Sequence, residues 1–221
     1  MHYVSQVLKR LLEIFLALAA LLVLSPVFIL VMLVLRLTGE RQVFFLQERV
    51  GYKNKKFYII KFTTMVANSE NLGTGSITLR QDPRVTKVGR VLRATKINEL
   101  PQLINLLKGD MSIVGPRPLM VVDFDKYHVG IRRVVYNIKP GLTGIGSIFF
   151  RDEEKLVSES SLAPKEFYKE YISTYKGRLE LWYQEHRSIT IDLLIIFLTV
   201  WIVFVPNSQL PNRLFKNLPK N

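Results

Sequence analysis

The chain contains no cysteine, which excludes disulfide frameworks, thiolate metal sites and thiol nucleophiles together. Its 3 histidines, His2, His128 and His186, are too few to suggest a multi-histidine metal cluster. Any reaction carried out here falls to carboxylates, hydroxyls, a histidine or a hard metal ion. Acidic residues are also scarce: 18 Asp and Glu stand against 31 Lys and Arg, for a formal charge of +13 and a pI near 10.0. Such an excess calls for an anionic partner, which can be lipid headgroups, a nucleotide or nucleic acid, and charge alone does not choose among them. The mean hydropathy of +0.17 is high for a soluble protein, so a membrane protein is the starting class. With 221 residues, the chain can build one domain with a sizeable core plus membrane-directed segments.

Two long apolar runs are present. Ile14 to Leu35 carries no charge, and as a helix it reaches across a hydrocarbon core of roughly 30 Å. Ser25-Pro26 falls at its midpoint, where Pro26 cannot donate to the carbonyl four residues back and disfavours helical geometry at Ser25. Basic residues flank both ends, Lys9 and Arg10 before and Arg36 and Arg41 after, so positive charge does not distinguish two sides. A re-entrant hairpin and a kinked span both fit these features. The run is too long for a cleaved signal peptide and is followed by no small-x-small site. The second run, Ile189 to Val205, contains Asp192 and Trp201 and reads as an interface-lying or partly inserted helix, with a second span as the alternative. Upstream of it, Phe167, Tyr171, Tyr175, Trp182 and Tyr183 suit a wet apolar boundary, and the first three fit a core stripe equally well. Arg213, Lys216 and Lys220 form a basic tail suited to an anionic cytoplasmic surface. The organisation expected is a membrane segment over 1–40, a cytoplasmic catalytic domain over 41–163, and aromatic, interfacial helices over 164–221. A nucleic-acid reading explains the charge but leaves both apolar runs without a role.

Between the runs, 43–51 and 56–65 carry β-branched and aromatic residues around Gly-Tyr-Lys-Asn, a short β-hairpin with Lys61 in its second arm. The Gly-, Ser-, Thr- and Asn-rich stretch 68–81 reads as a mobile loop. Asp82-Pro83 then reads as a helix start, with Asp as cap and Pro at the first helical position. In the helix that follows, Arg84, Lys87, Arg90, Arg93 and Lys96 recur every third residue and so spiral around it, which makes Arg90 and Arg93 candidates to face a phosphate. Asn98 reads as the cap of the next helix, with Pro101 in its first turn. That placement sets Asn98 and Glu99 at a positive helix end, where a diphosphate and a carboxylate can meet through a divalent cation. Arg117 is fixed between Pro116 and Pro118, a pre-positioned guanidinium for phosphate. The Gly-rich segment 138–147, with Gly141 and Thr143, can approach a ligand closely. Arg151 to Glu154 reads as a solvated helix start rather than a second catalytic cluster.

Taken in order, the apolar segment with Ser-Pro, QERVG, KF-x-T-M, the ELPQ helix, KGDMSIVGPRP and KPGLTG resemble the bacterial sugar transferase family of monotopic phosphoglycosyl transferases, over nearly the whole chain. The resemblance implies an α+β, mostly helical fold, embedded by an N-terminal re-entrant helix hairpin broken at Ser25-Pro26, with a small β-hairpin and interfacial amphipathic helices. It implies transfer of a sugar 1-phosphate from a UDP-sugar to undecaprenyl or another polyprenyl phosphate, releasing UMP, with Mg²⁺ at Glu99. The location implied is the inner membrane facing the cytoplasm, with downstream glycosyltransferases as further partners. Glu99, Arg117 and Lys61 match residues of the family's site. Asn98 occupies the place of the nucleophilic Asp, and an amide has no anionic oxygen with which to attack phosphorus. Glu99, Asp110 or Asp152 as nucleophile, direct attack by polyprenyl phosphate, and an inactive chain all remain open. The alternative function is a catalytically silent membrane adaptor that binds UDP-sugar or polyprenyl phosphate for a partner enzyme. A second departure is IGSIFFRDEE after KPGLTG, where the family runs Trp-Ala-Gln-Val-Asn-Gly-Arg.

Overall fold

The computed structural model describes residues 2–38, 41–73, 75, 77–206, 208–215 and 217–219; the tail residues Lys216 and Lys220 fall outside them. The fold is α+β and mostly helical. It opens with α1, His2–Leu37. Then come the hairpin strands β1, Phe44–Val50, and β2, Lys56–Phe62, α2, Lys87–Ala94, and α3, Gln102–Lys108. Short β3, Ser112–Val114, pairs in parallel with β4, Gly141–Thr143. Between these strands lie α4, Val121–Phe124, and α5, Val129–Val134. The chain continues through α6, Ile145–Phe149, α7, Glu153–Glu159, α8, Pro164–Phe167, and a π-helical stretch, Tyr168–Ser173. It closes with α9, Thr174–His186, α10, Ile189–Phe204, and α11, Leu210–Leu214.

The expected break at Ser25-Pro26 is corrected: α1 is helical through both residues. Pro26 cannot donate to the Leu22 carbonyl, and the Ser25 hydroxyl donates to that same oxygen at 2.8 Å. The hydroxyl thus replaces the bond that the proline removes. Val7–Leu37 is long and apolar enough to cross a membrane. It also touches the folded domain at several points along its length. Arg10 donates to the Leu106 and Leu107 carbonyls, and Glu13 accepts from the Ser112 hydroxyl and the Ile113 amide. Ala17 packs on Leu103 and Leu106, while Val31 and Leu35 pack on Phe62 and Leu92.

The β-hairpin forms as its alternation predicts, in antiparallel register with Lys61 opposite Phe45 and Arg49 opposite Phe57. These pairs lie an even number of residues apart, so Lys61, Gln47 and Arg49 share one face. The helix start expected at Asp82-Pro83 lies instead at Lys87, where the Thr86 side chain accepts from the Gly89 amide. Asp82 is not free to cap, because both its carboxylate oxygens take Arg84. The same guanidinium donates to the carbonyls of Ser69, Leu72, Gly75 and Ile77. The segment read as a mobile loop is thereby tied down from its centre. Trp182 and Tyr183, expected at a wet boundary, are buried with Leu179, Ile195 and Leu198 where α9 and α10 meet. Tyr171 is exposed and stacks on Phe167, and Tyr175 packs on Phe150. One face of α10 buries Ile195, Leu198 and Ile202 while Leu193, Phe197 and Val200 remain exposed. This apolar face suits contact with lipid.

Candidate functional site

The site forms where β2, α3 and the segment after β3 converge. Asn105, fully buried in α3, accepts from the Ile60 amide at 2.9 Å and donates to the Tyr58 carbonyl at 2.7 Å. Its amide thus pairs with β2 as a strand neighbour would and fixes α3 beside Lys61. The Pro-Arg-Pro segment is held from both sides by Tyr136, whose hydroxyl donates to the Arg117 carbonyl at 2.8 Å and accepts from the Leu119 amide at 2.9 Å. The Pro116 carbonyl accepts from the Gly141 amide, and the Pro118 carbonyl accepts from Arg49.

Three of the expected side chains meet. The Glu99 carboxylate lies 3.1 Å from the Arg117 guanidinium and 3.6 Å from the Lys61 ammonium. Burial would push the Glu99 carboxyl up, but Arg117, Lys61 and Lys96 outweigh it and hold the group well below the usual carboxylate range. Glu99 in turn raises Arg117 against its burial. Lys61 is pushed down to about 7 by burial, with Arg49, Arg117 and Arg93 adding to the fall and Glu99 opposing it. The cations therefore outnumber the carboxylate, and the cleft lined by Arg49, Lys61, Gln102 and Arg117 is electropositive. Its internal gap of about 10 Å³ holds roughly one water. A larger, mostly apolar cavity of about 340 Å³ opens at the end of α1, lined by Leu35, Thr63, Met65 and Lys87 among others.

Asn98 does not cap α3. It lies in a 3-10 turn, Ile97–Glu99, ahead of a helix that begins at Gln102, and is buried at 6% exposure. Its Oδ1 has no hydrogen-bond partner. The positive end of α3 is therefore not what gathers charge at Glu99; three basic side chains do that. Among the described residues no group of three His, Asp or Glu gathers as an all-protein metal cage. The unpartnered Asn98 carbonyl oxygen and the Glu99 carboxylate are hard donors, which fits an ion such as Mg²⁺ that takes most of its ligands from substrate phosphates and water.

Other expected residues are placed differently. Arg93 reaches Glu154, whereas Arg90 points to solvent. The Thr143 hydroxyl bonds Thr199 of α10 at 2.6 Å and is not among the residues lining the cleft. Gly141 lines the cleft, but its need for no side chain comes from backbone packing: a Cβ would fall 2.1 Å from the Gly115 nitrogen. Asp110 lies past the C-terminal end of α3 against Asn105, and Asp152 is exposed. Sequence reasoning passed over Arg49, gave Lys96 no role beyond the spiral of cations, and read Glu153 as part of a solvated helix start, whereas it is paired with Lys176. Arg49 sits in QERVG, and its place on the Lys61 face was readable from strand parity. Glu153 pairs with Lys176 at 2.6 Å and lies within electrostatic reach of Arg117 and Lys96; a contact this distant in sequence leaves no local signal.

Comparison with known proteins matches residues 4–206 to the family described as bacterial sugar transferase. UDP-glucose:undecaprenyl-phosphate glucose-1-phosphate transferase of Escherichia coli K12 is 38% identical over 204 residues, covering 91% of this chain and 41% of that protein. This chain thus spans less than half of that relative's length. Exopolysaccharide production protein ExoY of Sinorhizobium fredii is 30% identical, covering 87% of this chain and 83% of its own. An uncharacterized sugar transferase, EpsL, of Bacillus subtilis is 35% identical, with 90% and 88% covered. On the match over most of its length, the chain belongs to the bacterial sugar transferase family.

Proposed function

We propose that the protein is a phosphoglycosyl transferase that moves a sugar 1-phosphate from a UDP-sugar to undecaprenyl or a similar polyprenyl phosphate and releases UMP. The observation that carries this reading is the electropositive cleft of Lys61, Arg117, Arg49 and Lys96 around Glu99, on a domain packed along an apolar helix. One substrate brings a diphosphate, which these cations would neutralise as charge moves to the departing UMP. The other brings a phosphate on a lipid chain, for which the 340 Å³ cavity beside α1 offers apolar walls next to Lys87. Arg117 is fixed by Tyr136 before substrate arrives, so little freedom is lost when it clamps a phosphate oxygen. Lys61 is poised near neutrality and gains full charge when a polyanion enters beside it. Mg²⁺, when bound, would supply further neutralisation of phosphate charge, held by Glu99 and the Asn98 carbonyl oxygen.

In this reading α1 bends at Pro26 while staying helical and so enters and leaves the bilayer on one side, which keeps the domain in the cytoplasm. Support comes from the contacts near both ends: Arg10 and Glu13 bond the α3–β3 region, and Leu35 packs on α2. A vertical span would draw the hairpin and α3 into hydrocarbon along with the helix, where strand edges and loop carbonyls find no partners.

The test is to supply the protein in nanodiscs with undecaprenyl phosphate, Mg²⁺ and a panel of UDP-sugars, and to measure UMP. Release with at least one donor, abolished by Glu99→Gln, is expected. Because Asn98 lacks a charge, a silent adaptor is the second reading; donor or acceptor binding without UMP from any donor would establish it in place of the enzyme.

A further inference from the structure

The single carboxylate of α1, Glu13, is 6% exposed although it directly precedes the apolar run. A charge buried there needs partners. Its Oε1 accepts from the Ser112 hydroxyl and, at 3.2 Å, from the Ile113 amide. Ile113 lies between Ser112 and Val114, the two positions paired with β4, so its amide points away from β4. Glu13 therefore stands where a further strand would and holds the edge of β3 that β4 leaves open. The same stretch of chain runs on through Gly115 and Pro116 to Arg117. On its other edge the Gly115 amide donates to the Thr143 carbonyl at 3.0 Å, and the Pro116 carbonyl accepts from the Gly141 amide at 2.9 Å.

One turn earlier in the same helix, Arg10 holds the other half of the cleft. Its Nη2 donates to the Leu106 and Leu107 carbonyls near the end of α3, at 2.7 and 3.1 Å, and its Nη1 lies 3.5 Å from Glu13 Oε2. α3 supplies Gln102 to the cleft wall, and its Asn105 accepts from the Ile60 amide, next to Lys61. Arg10 and Glu13 thus form one ion pair on one face of α1. One member is bonded to the strand that leads to Arg117, the other to the helix beside Lys61. Ala17, a turn further along, packs on Leu103 and Leu106 of that same helix. The Glu99 contacts with Arg117, at 3.1 Å, and with Lys61, at 3.6 Å, bridge these two halves and so depend on their spacing.

We propose that Glu13 is a positioning residue for the transfer: by tying β3 to α1, and through Arg10 to α3, it fixes Arg117 at its distance from Glu99 and Lys61. This role rests on the transferase reading above. Tyr136 ties the Pro-Arg-Pro segment to the turn after α5, whereas its place relative to α3 comes through β3. A guanidinium displaced by about 1 Å still attracts the donor's diphosphate in the ground state, but it loses alignment with the oxygens on which charge develops as UMP departs. Loss of Glu13 is therefore expected to appear in kcat. A carboxylate that only seated α1 in the bilayer would act elsewhere. The apolar cavity offered to the lipid acceptor lies at the far end of α1, against Leu35 and Thr38, so a loosened helix would raise the acceptor KM instead.

The experiment compares wild type, Glu13→Gln, Glu13→Leu and Ser112→Ala in nanodiscs, with UMP release measured against donor and undecaprenyl phosphate concentration. Gln keeps an oxygen for the Ser112 hydroxyl and the Ile113 amide, and should retain about a third or more of kcat. Leu suits an apolar helix but accepts no bond; it should lose about tenfold or more in kcat, with the acceptor KM unchanged within about twofold. Ser112→Ala removes one of the two bonds and should fall between. Added to Glu13→Leu it should cost nothing more, because the hydroxyl acts through the carboxylate. A Leu variant with wild-type kcat, a loss confined to the acceptor KM, or a Gln variant as impaired as Leu would each overturn the assignment and leave the transferase reading intact. If Glu13→Leu does not fold, Ser112→Ala decides: a lower kcat at unchanged acceptor KM supports the role, and a wild-type kcat overturns it. A wild type that releases no UMP from any donor would overturn both.

Discussion

Lys61 carries a charge that changes within the working pH range. Burial, with Arg49, Arg117 and Arg93 nearby, brings it down to about 7 despite Glu99, so in the free enzyme it is charged below that pH and neutral above it. Donor kcat/KM, which reports the free enzyme, is therefore expected to fall as pH rises through about 7. Lys61→Arg keeps the charge at all these values, and its profile should stay flat across the same interval. A wild-type profile that is already flat to pH 9 would refute this account of Lys61. The resemblance led to Lys61, Glu99 and Arg117, and these do meet. Asn98 was read as a cap because Asn before a helical pattern is the usual signal; the turn at Ile97–Glu99 and Pro101 instead delay the helix and bury the amide. Arg90 and Arg93 could not be separated by spacing alone, since what distinguishes them is Glu154, some sixty residues on.

Among the elements, the hairpin and α10 were legible because alternation and length are local properties of the chain. Helix starts were less so. Asp82-Pro83 has the right residue types, but Arg84, two residues on, takes the Asp82 carboxylate for its own use, and Thr86 caps instead. Gly89 illustrates a constraint that no periodicity reveals: a Cβ there would lie 2.0 Å from the Thr64 carbonyl oxygen. Gly89→Ala must push α2 off the segment that follows the hairpin, and a loss of about 1–3 kcal/mol is expected, read as a lower Tm in detergent. In α1, the Ser25 hydroxyl supplies the bond that Pro26 cannot. Ser25→Ala should cost about 1–3 kcal/mol by leaving the Leu22 carbonyl without a donor. In a Pro26→Ala background the backbone amide returns, so the same Ser25→Ala change should cost much less. Equal losses in both backgrounds would show that the hydroxyl does not act through that carbonyl.

At the scale of the whole molecule, the open question is how α1 relates to the bilayer. Its 36 residues would extend about 54 Å as a straight helix, well beyond the roughly 30 Å of a hydrocarbon core. Length therefore does not require a crossing. The surroundings favour entry from one side: Lys9 pairs with Asp192 at the start of α10, Glu13 holds β3, and Leu35 packs on α2. Residues near both ends are thus tied to one folded unit whose polar strands and loops need water. The absence of cysteine, which excluded thiol chemistry, also makes the topology directly measurable. Val7→Cys, Thr38→Cys and Lys108→Cys would each place one thiol in the chain, near the start of α1, just past its end, and at the end of α3. With a membrane-impermeant maleimide, all three are expected to label in inverted inner-membrane vesicles and none in intact cells. If one end of α1 labels only from outside, the helix crosses the bilayer, and the domain must then pack against it through contacts confined to one half of its length. Labelling of all three from the vesicle exterior would leave the cleft, the apolar cavity beside Leu35 and the lipid phosphate on the same side of the membrane, as transfer to a lipid-borne acceptor requires.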